Sequence, residues 1–179
     1  NTEDARKVFD AALGTAGSRG LEDPELCELG LLYAALETEL SPPVGGAAPA
    51  RAVHVLSGLA ERRPYGPCTG RPGQVSAVHV LKARRAYEHA LQDWLGERRG
   101  PDPGPPDRFS RLVSLAKCFM LFQYLTVGVD AAGRVYEQVF AGLRGSVSTE
   151  AAGLEGALEA VTLMHTSLLR FHGRVAAHP

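Results

Sequence analysis

Histidines are the residues whose spacing comes nearest to a metal site in this sequence. His165 and His172 are seven positions apart, which on a helix places them on similar faces, about 10 Å apart along the axis. That separation is too large for one ion without further ligands, and the motif HExxH is absent. His79 and His89 do not share a helical face. We therefore expect half-buried or surface histidines, and no metal.

Signatures of enzymatic catalysis are missing from the sequence. It contains no GxxxxGKS/T phosphate loop, no GxSxG elbow and no strand followed by GxGxxG. The acids Asp23, Glu25 and Glu28 crowd one helix start, where they interact favourably with the helix dipole. No opposing acid is predicted across a cleft, as general acid–base catalysis would require. We predict that the chain is not an enzyme and has neither a cofactor nor a small-molecule substrate.

A short basic strip is the pattern that most favours nucleic acid. Lys82, Arg84 and Arg85 flank Tyr87, and Arg98 and Arg99 extend the same helical pattern. Cations beside an aromatic ring are typical of surfaces that bind single-stranded RNA. Acids interleave with these cations further along the helix, however, and solvated arginines are common on helix surfaces. Direct RNA contact through Lys82, Arg84 and Arg85 therefore remains an alternative.

The composition is that of a globular protein with no bulk charge. Of 179 residues, 45% are hydrophobic and 22% charged, with a formal net charge of −1, which excludes an overall basic surface for nucleic acid or anionic lipid. No apolar run approaches the ~20 residues that span a bilayer, so we expect no membrane association. Three distant cysteines, Cys27, Cys68 and Cys118, favour a reducing compartment. The sequence starts inside a helical pattern without a Met, which predicts a piece of a longer protein.

Helical periodicity runs through nearly the whole chain. Apolar residues recur three and four positions apart, and no segment shows the alternation of a β-strand. Capping residues and Pro/Gly breakers divide the pattern into helices. The seven predicted helices begin near Thr2 or Asp4, near Asp23, at Pro49, near Gln74, at Phe109, at Ala131 and at Leu154. We expect a single helical-repeat domain over residues 1–179, with mobile loops near 64–73, 100–107 and 144–153.

Each helix is expected to bury one apolar face, and the fifth is expected to be central. The fifth helix is apolar nearly all round, which is typical of a helix with neighbours on several sides. The predicted buried faces include Val8 and Leu13; Leu26, Leu32, Tyr33 and Leu40; Val78, Leu81, Tyr87, Leu91 and Trp94; and Leu168, Leu169 and Phe171.

An internal repeat is the strongest clue to architecture. Three helices carry an Ala, an aromatic residue four positions later, and two apolar residues at seven and eight: Ala5 with Phe9, Ala83 with Tyr87, and Ala132 with Tyr136. These positions share one helical face, where the small Ala lets a neighbouring helix approach and the ring fills the next layer. A weaker copy starts at Ala50 and has His54 in place of the ring. Helix pairs of this kind stack because one pair cannot bury its own apolar face; the alternative is a non-repetitive all-α bundle.

These motifs resemble half-a-tetratricopeptide (HAT) repeats. The segments DARKVFDAAL, KARRAYEHAL and GRVYEQVFAGL resemble the second helix of a repeat, and GLLYAALE resembles the first. The resemblance implies that the motif residues are structural and that the first-helix Glu37 pairs with the second-helix Arg51. The repeat-motif residues that it marks are Ala5, Arg6, Phe9, Tyr33, Glu37, Arg51, Ala83, Arg84, Tyr87 and Tyr136.

Longer segments are similar to one particular family. SLAKCFMLFQYLTVGVDAA, VHVLKARRAYEHALQDWL and LEAVTLMHTSLLRFH resemble the carboxy-terminal helical region of the nuclear RNAi-defective-2 protein family, over most of the chain. The resemblance implies a nuclear protein of RNA surveillance and processing, linked to the exosome-associated RNA helicase, splicing and RNA-mediated silencing. It also implies that the helicase contact lies outside the helical repeats.

Three departures from the repeat pattern bear on how the helices pair. Gly30 and Leu29 stand where the first helix of a repeat carries its signature Trp, and Gly133 replaces the Arg of the third copy. The third and fourth helices both resemble second helices, so the repeat phase slips between them.

Together the residues and the resemblance predict an all-α fold in which antiparallel helix pairs stack as a HAT/TPR-like α-solenoid. The predicted function is a non-catalytic scaffold that binds protein partners of the nuclear RNA-processing machinery. One alternative is a single-stranded RNA-binding helical module. A second is a tetratricopeptide-type peptide clamp, although the Lys and Asn cluster that such a clamp needs is not evident.

Overall fold

The described part of the chain folds into seven α-helices. The computed structural model describes residues 1–17, 19–43, 49–66, 75–96, 108–145 and 151–177, and this part of the chain contains helices and turns but no strand. The helices are α1 (Thr2–Ala16), α2 (Pro24–Leu40), α3 (Ala50–Ala60), α4 (Ala77–Gly96), α5 (Arg108–Thr126), α6 (Val129–Arg144) and α7 (Ala151–Ala177). The predicted all-α class is confirmed.

Side-chain caps set the helix starts where the sequence indicated them. The Asn1 side chain accepts a hydrogen bond from the backbone N–H of Glu3 at 3.1 Å and caps α1. Asp23 caps α2 by accepting from the N–H groups of Glu25 and Leu26, both at 3.1 Å, with Pro24 in the first turn. These bonds satisfy N–H groups that have no partner within the helix.

Consecutive helices pack side by side, and five of the consecutive pairs are seen to run antiparallel. In the first pair, Arg6 faces Glu37 and Asp10 faces Tyr33, so residue numbers rise along α1 as they fall along α2. The same opposed order holds for α2 with α3, α3 with α4, α4 with α5, and α6 with α7. This arrangement of neighbouring helices is that of the predicted α-solenoid.

Helix α5 lies at the centre of the stack. It packs against α2, α3, α4, α6 and α7, and eleven of its nineteen residues are buried. This confirms the central position that its all-round apolar character predicts.

Two cysteines join α5 to α2. Cys27 and Cys118 are fully buried, and the Cys118 thiol donates to the Cys27 carbonyl oxygen at 3.5 Å. The Cys27 side chain and burial raise the pKa of the Cys118 thiol well above its ordinary value, so the neutral thiol acts as a small apolar group. Cys68 lies outside the described residues.

Several predicted core residues are exposed. Val8, Leu32, Leu40, Val78, Leu81 and Leu169 are between 41% and 68% exposed. Neighbouring positions on a helix are about 100° apart, so Leu169 points away from the core that its neighbour Leu168 enters. In α2 the buried face instead contains small and polar residues such as Gly30, Ala34 and Thr38, which a hydrophobic stripe does not reveal.

The helix bounds differ from the predicted ones by a few residues, and one short element was missed. Gly20–Glu22 forms a 3-10 turn before α2. Helix α4 begins at Ala77, whereas its predicted start near Gln74 lies outside the described residues. The predicted loops near 64–73, 100–107 and 144–153 also fall largely outside them, and the single-domain organisation stays a prediction.

Candidate functional site

The α4 copy of the repeat motif lies between α3 and α5. Ala83 and Tyr87 are completely buried. The Tyr87 ring stacks on Phe119 with centroids 5.1 Å apart, and its hydroxyl donates to the Leu56 carbonyl oxygen at 2.9 Å. Burial raises the pKa of Tyr87 well above its ordinary value. Tyr87 therefore fills a layer between three helices and cannot stack on a base.

The α1 copy packs against α2 in a related way. The Phe9 ring stacks on Tyr33, with centroids 5.0 Å apart and planes 1° from parallel. Ala5 is half-buried one turn earlier, and Tyr33 is completely buried. Offset rings of this kind stabilise a helix contact beyond the apolar area they bury.

Glu37 pairs with Arg6 and not with Arg51, which corrects the pairing that the family resemblance implied. Arg6 Nε and Nη2 donate to the two Glu37 oxygens at 2.6 and 3.0 Å, and the Glu37 residue is only 3% exposed. The hydrogen bonds with Glu37 raise the pKa of Arg6. Arg51 donates instead to the Tyr33 hydroxyl at 3.4 Å, which is the largest cause of its raised pKa. Arg6 pairs with Glu37 because α1 and α2 run antiparallel, which places Arg6 directly opposite Glu37.

A polar cluster beside this ion pair was not visible in the sequence. Asp10 Oδ1 accepts from the Tyr33 hydroxyl at 2.9 Å and also from the Tyr65 hydroxyl, which lies 55 residues away along the chain. Burial is the largest cause of the raised pKa of both tyrosines. No spacing rule links residues of α1, α2 and the segment after α3. This carboxylate is held by two phenols, so the cluster ties elements together and presents no free general base.

Two glycines at motif positions have different roles. A Cβ on Gly30 would lie 2.6 Å from Leu59 Cδ1 and 3.3 Å from Val55 Cγ1, so even a methyl group there would require the buried Leu59 side chain to move, and the signature Trp has no room. A Cβ on Gly133 would lie an ordinary 3.7 Å from His165 Nε2. At that end of the stack the half-buried Tyr136 stacks on His165, with centroids 4.3 Å apart.

The basic strip of α4 is divided between two faces. Lys82 and Arg85 are exposed, whereas Arg84 is half-buried and its Nε has no hydrogen-bond partner. Arg84 lies about 100° around the helix from Arg85. The structure therefore does not bring Lys82, Arg84, Arg85 and the Tyr87 ring together on one surface, and Arg98 and Arg99 lie outside the described residues.

The histidines are dispersed in pairwise contacts. His79 lies 3.4 Å from Glu61, His89 lies 3.2 Å from Asp93, and the His172 ring contacts Tyr124. Across the described ranges no group of three His, Cys, Asp or Glu side chains is placed to hold a metal ion. None of the described helices is long and apolar enough to cross a membrane.

A narrow groove with a cavity volume of about 40 Å³ opens between the end of α1, the 3-10 turn and the end of α3. Its walls are mainly apolar, and Leu13, Leu26, Val55 and Leu59 are among the residues that line it. His54, Arg63 and Tyr65 are the titratable groups at its edge. No acid and base in this groove are hydrogen-bonded to each other, so its geometry fits an apolar contact better than a catalytic site.

Comparison with known proteins gives two close relatives. The chain is 64% identical over 189 aligned residues to human "Nuclear exosome regulator NRDE2" and 57% identical over 188 to the mouse protein of the same name. Each alignment covers 100% of this chain and 16% of the relative, so the chain spans about a sixth of the length of the curated relatives it matches. Both relatives carry the name of the family that the sequence resembles, which confirms the resemblance. The name describes a nuclear protein, in line with the predicted nuclear location.

No family model matches the chain, and no solved structure matches it. The HAT type of the repeat therefore depends on the sequence motifs.

Proposed function

We propose that this chain, which is homologous over its full length to one segment of the nuclear RNAi-defective-2 family, is a non-catalytic helical scaffold that binds protein partners in nuclear RNA surveillance. The observation that carries the proposal is the 64% identity, over the whole chain, to a protein named nuclear exosome regulator. The alignment covers every helix, and identity at this level supports the same fold for the corresponding segment of its relatives.

The use of the motif residues supports a binding role over a catalytic one. Contacts between helices occupy the motif side chains, namely Tyr87, Phe9 and the Arg6–Glu37 pair. The described carboxylate that is most buried, Glu37, is neutralised by Arg6 and unavailable for proton transfer. The outer faces of the described stack are the surfaces open to other molecules, and helical-repeat proteins generally bind partners on such surfaces.

The proposed role is regulatory and acts on decay by the nuclear exosome. Its extension to splicing and RNA-mediated silencing, and the HAT class of the repeats, come from the family resemblance. Since that resemblance places the helicase contact outside the helical repeats, we propose that this segment binds a different protein of the nuclear RNA-processing machinery.

Retention of partners from nuclear extract tests the proposal. The immobilised chain is incubated with extract that has been treated with ribonuclease or left untreated, and the bound proteins are quantified by mass spectrometry. We expect RNA-processing proteins that remain bound after ribonuclease. The Tyr87→Ala variant, which we expect to destabilise the helix stack because the ring is buried, serves as the unfolding control and should lose them.

Two results would contradict the scaffold function. One is retention that ribonuclease abolishes, and the other is tight binding of a labelled single-stranded RNA that is lost on Arg84→Glu and Arg85→Glu. Either would support the RNA-binding alternative.

A further inference from the structure

A stripe of exposed residues runs along the first half of α4. Val78 and Leu81 are 59% and 45% exposed, and Lys82 and Arg85 are exposed beside them. The four residues are spaced i, i+3, i+4 and i+7, so they share one helical face. We call Val78, Leu81, Lys82 and Arg85 the α4 stripe. It combines an apolar end with a basic end within about two helical turns.

The charges on the α4 stripe itself are positive. The described part of the chain from 75 to 87 has no acid, and one exposed acid, Glu88, follows one turn beyond Arg85 on the same face. The nearest carboxylate across from α4, Glu61, is only 12% exposed and is held by Arg63 at 3.2 Å and His79 at 3.4 Å. Further along α4, Asp93 lies 3.2 Å from His89. Lys82 and Arg85 are in none of the described ion pairs, so their charges are available to an incoming group.

The side chains beside these cations are aliphatic, which separates the α4 stripe from a surface for single-stranded RNA. RNA-binding grooves present rings for base stacking, and the neighbouring ring, Tyr87, is buried and bonded to Leu56. A second copy of the chain is also a poor occupant, because it would bring the same two cations to the contact with only Glu88 as a counter-charge.

We propose that the α4 stripe is the docking surface for an acidic amphipathic segment of a partner protein. In this arrangement apolar side chains of the segment, spaced three or four apart, cover Val78 and Leu81, and its carboxylates lie against Lys82 and Arg85. The contact is of the helix-on-surface type, with the charges setting orientation and association rate. This inference rests on the proposed scaffold function and names its surface and the chemistry of its partner.

Selection from a displayed library of random 16-residue peptides tests the partner's chemistry. The 179-residue chain is immobilised, and the enriched pool is sequenced. We expect peptides with a net negative charge and with Leu, Ile or Phe at helical spacing. Synthetic copies of the best peptide are then measured by fluorescence anisotropy against Leu81→Ser and against the double variant Lys82→Glu/Arg85→Glu.

Binding should fall about tenfold or more in both variants. Leu163→Ser on α7, at a leucine that is 60% exposed, is the matched control and should bind like the original chain. Both stripe variants change exposed residues, so their melting temperatures should stay within a few degrees of the original, which separates lost binding from lost folding.

The outcomes separate this inference from the scaffold function. Enriched peptides that are neutral or basic, an empty selection, or peptides that bind Leu81→Ser unchanged would overturn the α4 stripe as the docking surface. The scaffold function would survive these results if ribonuclease-resistant partners are still retained. Binding of a labelled uridine 20-mer that is lost on Lys82→Glu/Arg85→Glu but not on Leu81→Ser would overturn both.

Discussion

Removal of Arg6 tests the buried ion pair that joins α1 to α2. In Arg6→Ala the Glu37 carboxylate, whose side chain is 4% exposed, loses both donors and stays buried. Breaking a buried pair from one side typically costs about 3–5 kcal/mol. The Arg6 side chain is 23% exposed, so water reaches part of the vacated space and we expect about 2–4 kcal/mol. In a chain of this size such a loss lowers the melting temperature by roughly 5–15 °C.

Denaturant titration followed by far-UV circular dichroism measures the free energy of unfolding for three arginine variants. Arg62→Ala removes a solvent-exposed pair with Glu22 and should cost at most about 0.5 kcal/mol. Arg51→Ala removes the bond to the Tyr33 hydroxyl and should cost about 1 kcal/mol. If Arg6→Ala costs no more than Arg62→Ala, the Arg6–Glu37 pair does not stabilise the α1–α2 contact as a buried pair would. A loss on Arg51→Ala that exceeds the loss on Arg6→Ala would restore the family's Glu37–Arg51 pairing.

Three further results follow from the packing. The free energy of unfolding should fall less steeply above pH 10 in Tyr87→Phe than in the original chain. The raised pKa of buried Tyr87 keeps its proton on in the folded state, whereas the unfolded state releases it near pH 10, which costs up to about 1.4 kcal/mol of stability per pH unit. An unchanged slope between pH 9 and 11 would contradict the burial of Tyr87. Gly30→Ala should destabilise the fold by about 1–3 kcal/mol, since the new Cβ would meet side chains of α3. Gly14→Ala, with open space around its Cβ, should stabilise the fold by about 0.5–1 kcal/mol. Equal changes in melting temperature for the two variants would rule out the close approach at Gly30. Cys27 and Cys118 should resist iodoacetamide until denaturant is added, since both are buried; alkylation of the native chain at either, read by peptide mapping, would show that the α2–α5 contact opens.

The helices and the central position of α5 could be predicted because their signals are local. Asp23 followed by Pro24 is a helix-start signal that needs no distant partner, and α5 has too many apolar residues for a single face. Tyr87 was predicted to fill a layer because Ala83 precedes it by one turn on the same face. Properties of one helix are therefore readable from its own sequence.

The polar contacts could not be predicted because they join distant segments. Asp10 and Tyr65 are 55 residues apart, and each alone is an ordinary polar residue. Arg51 was the expected partner of Glu37, and only the antiparallel placement of α1 shows that Arg6 pairs with it instead. The exposure of Val78 and Leu81 has the same origin, since the amphipathic pattern of α4 does not say which of its apolar residues lie outside the contacts with α3 and α5.

The free energy of unfolding of Tyr87→Ala tests the stacked arrangement most directly. Both the scaffold function and the α4 stripe depend on Tyr87 filling the layer between α3 and α5, which leaves the outer face of α4 free. Deleting this buried ring should cost about 3–5 kcal/mol, with binding to the selected acidic peptide lost only through unfolding. A cost below about 1 kcal/mol in the same denaturant titration would mean that the ring lies on the surface, and would contradict the account.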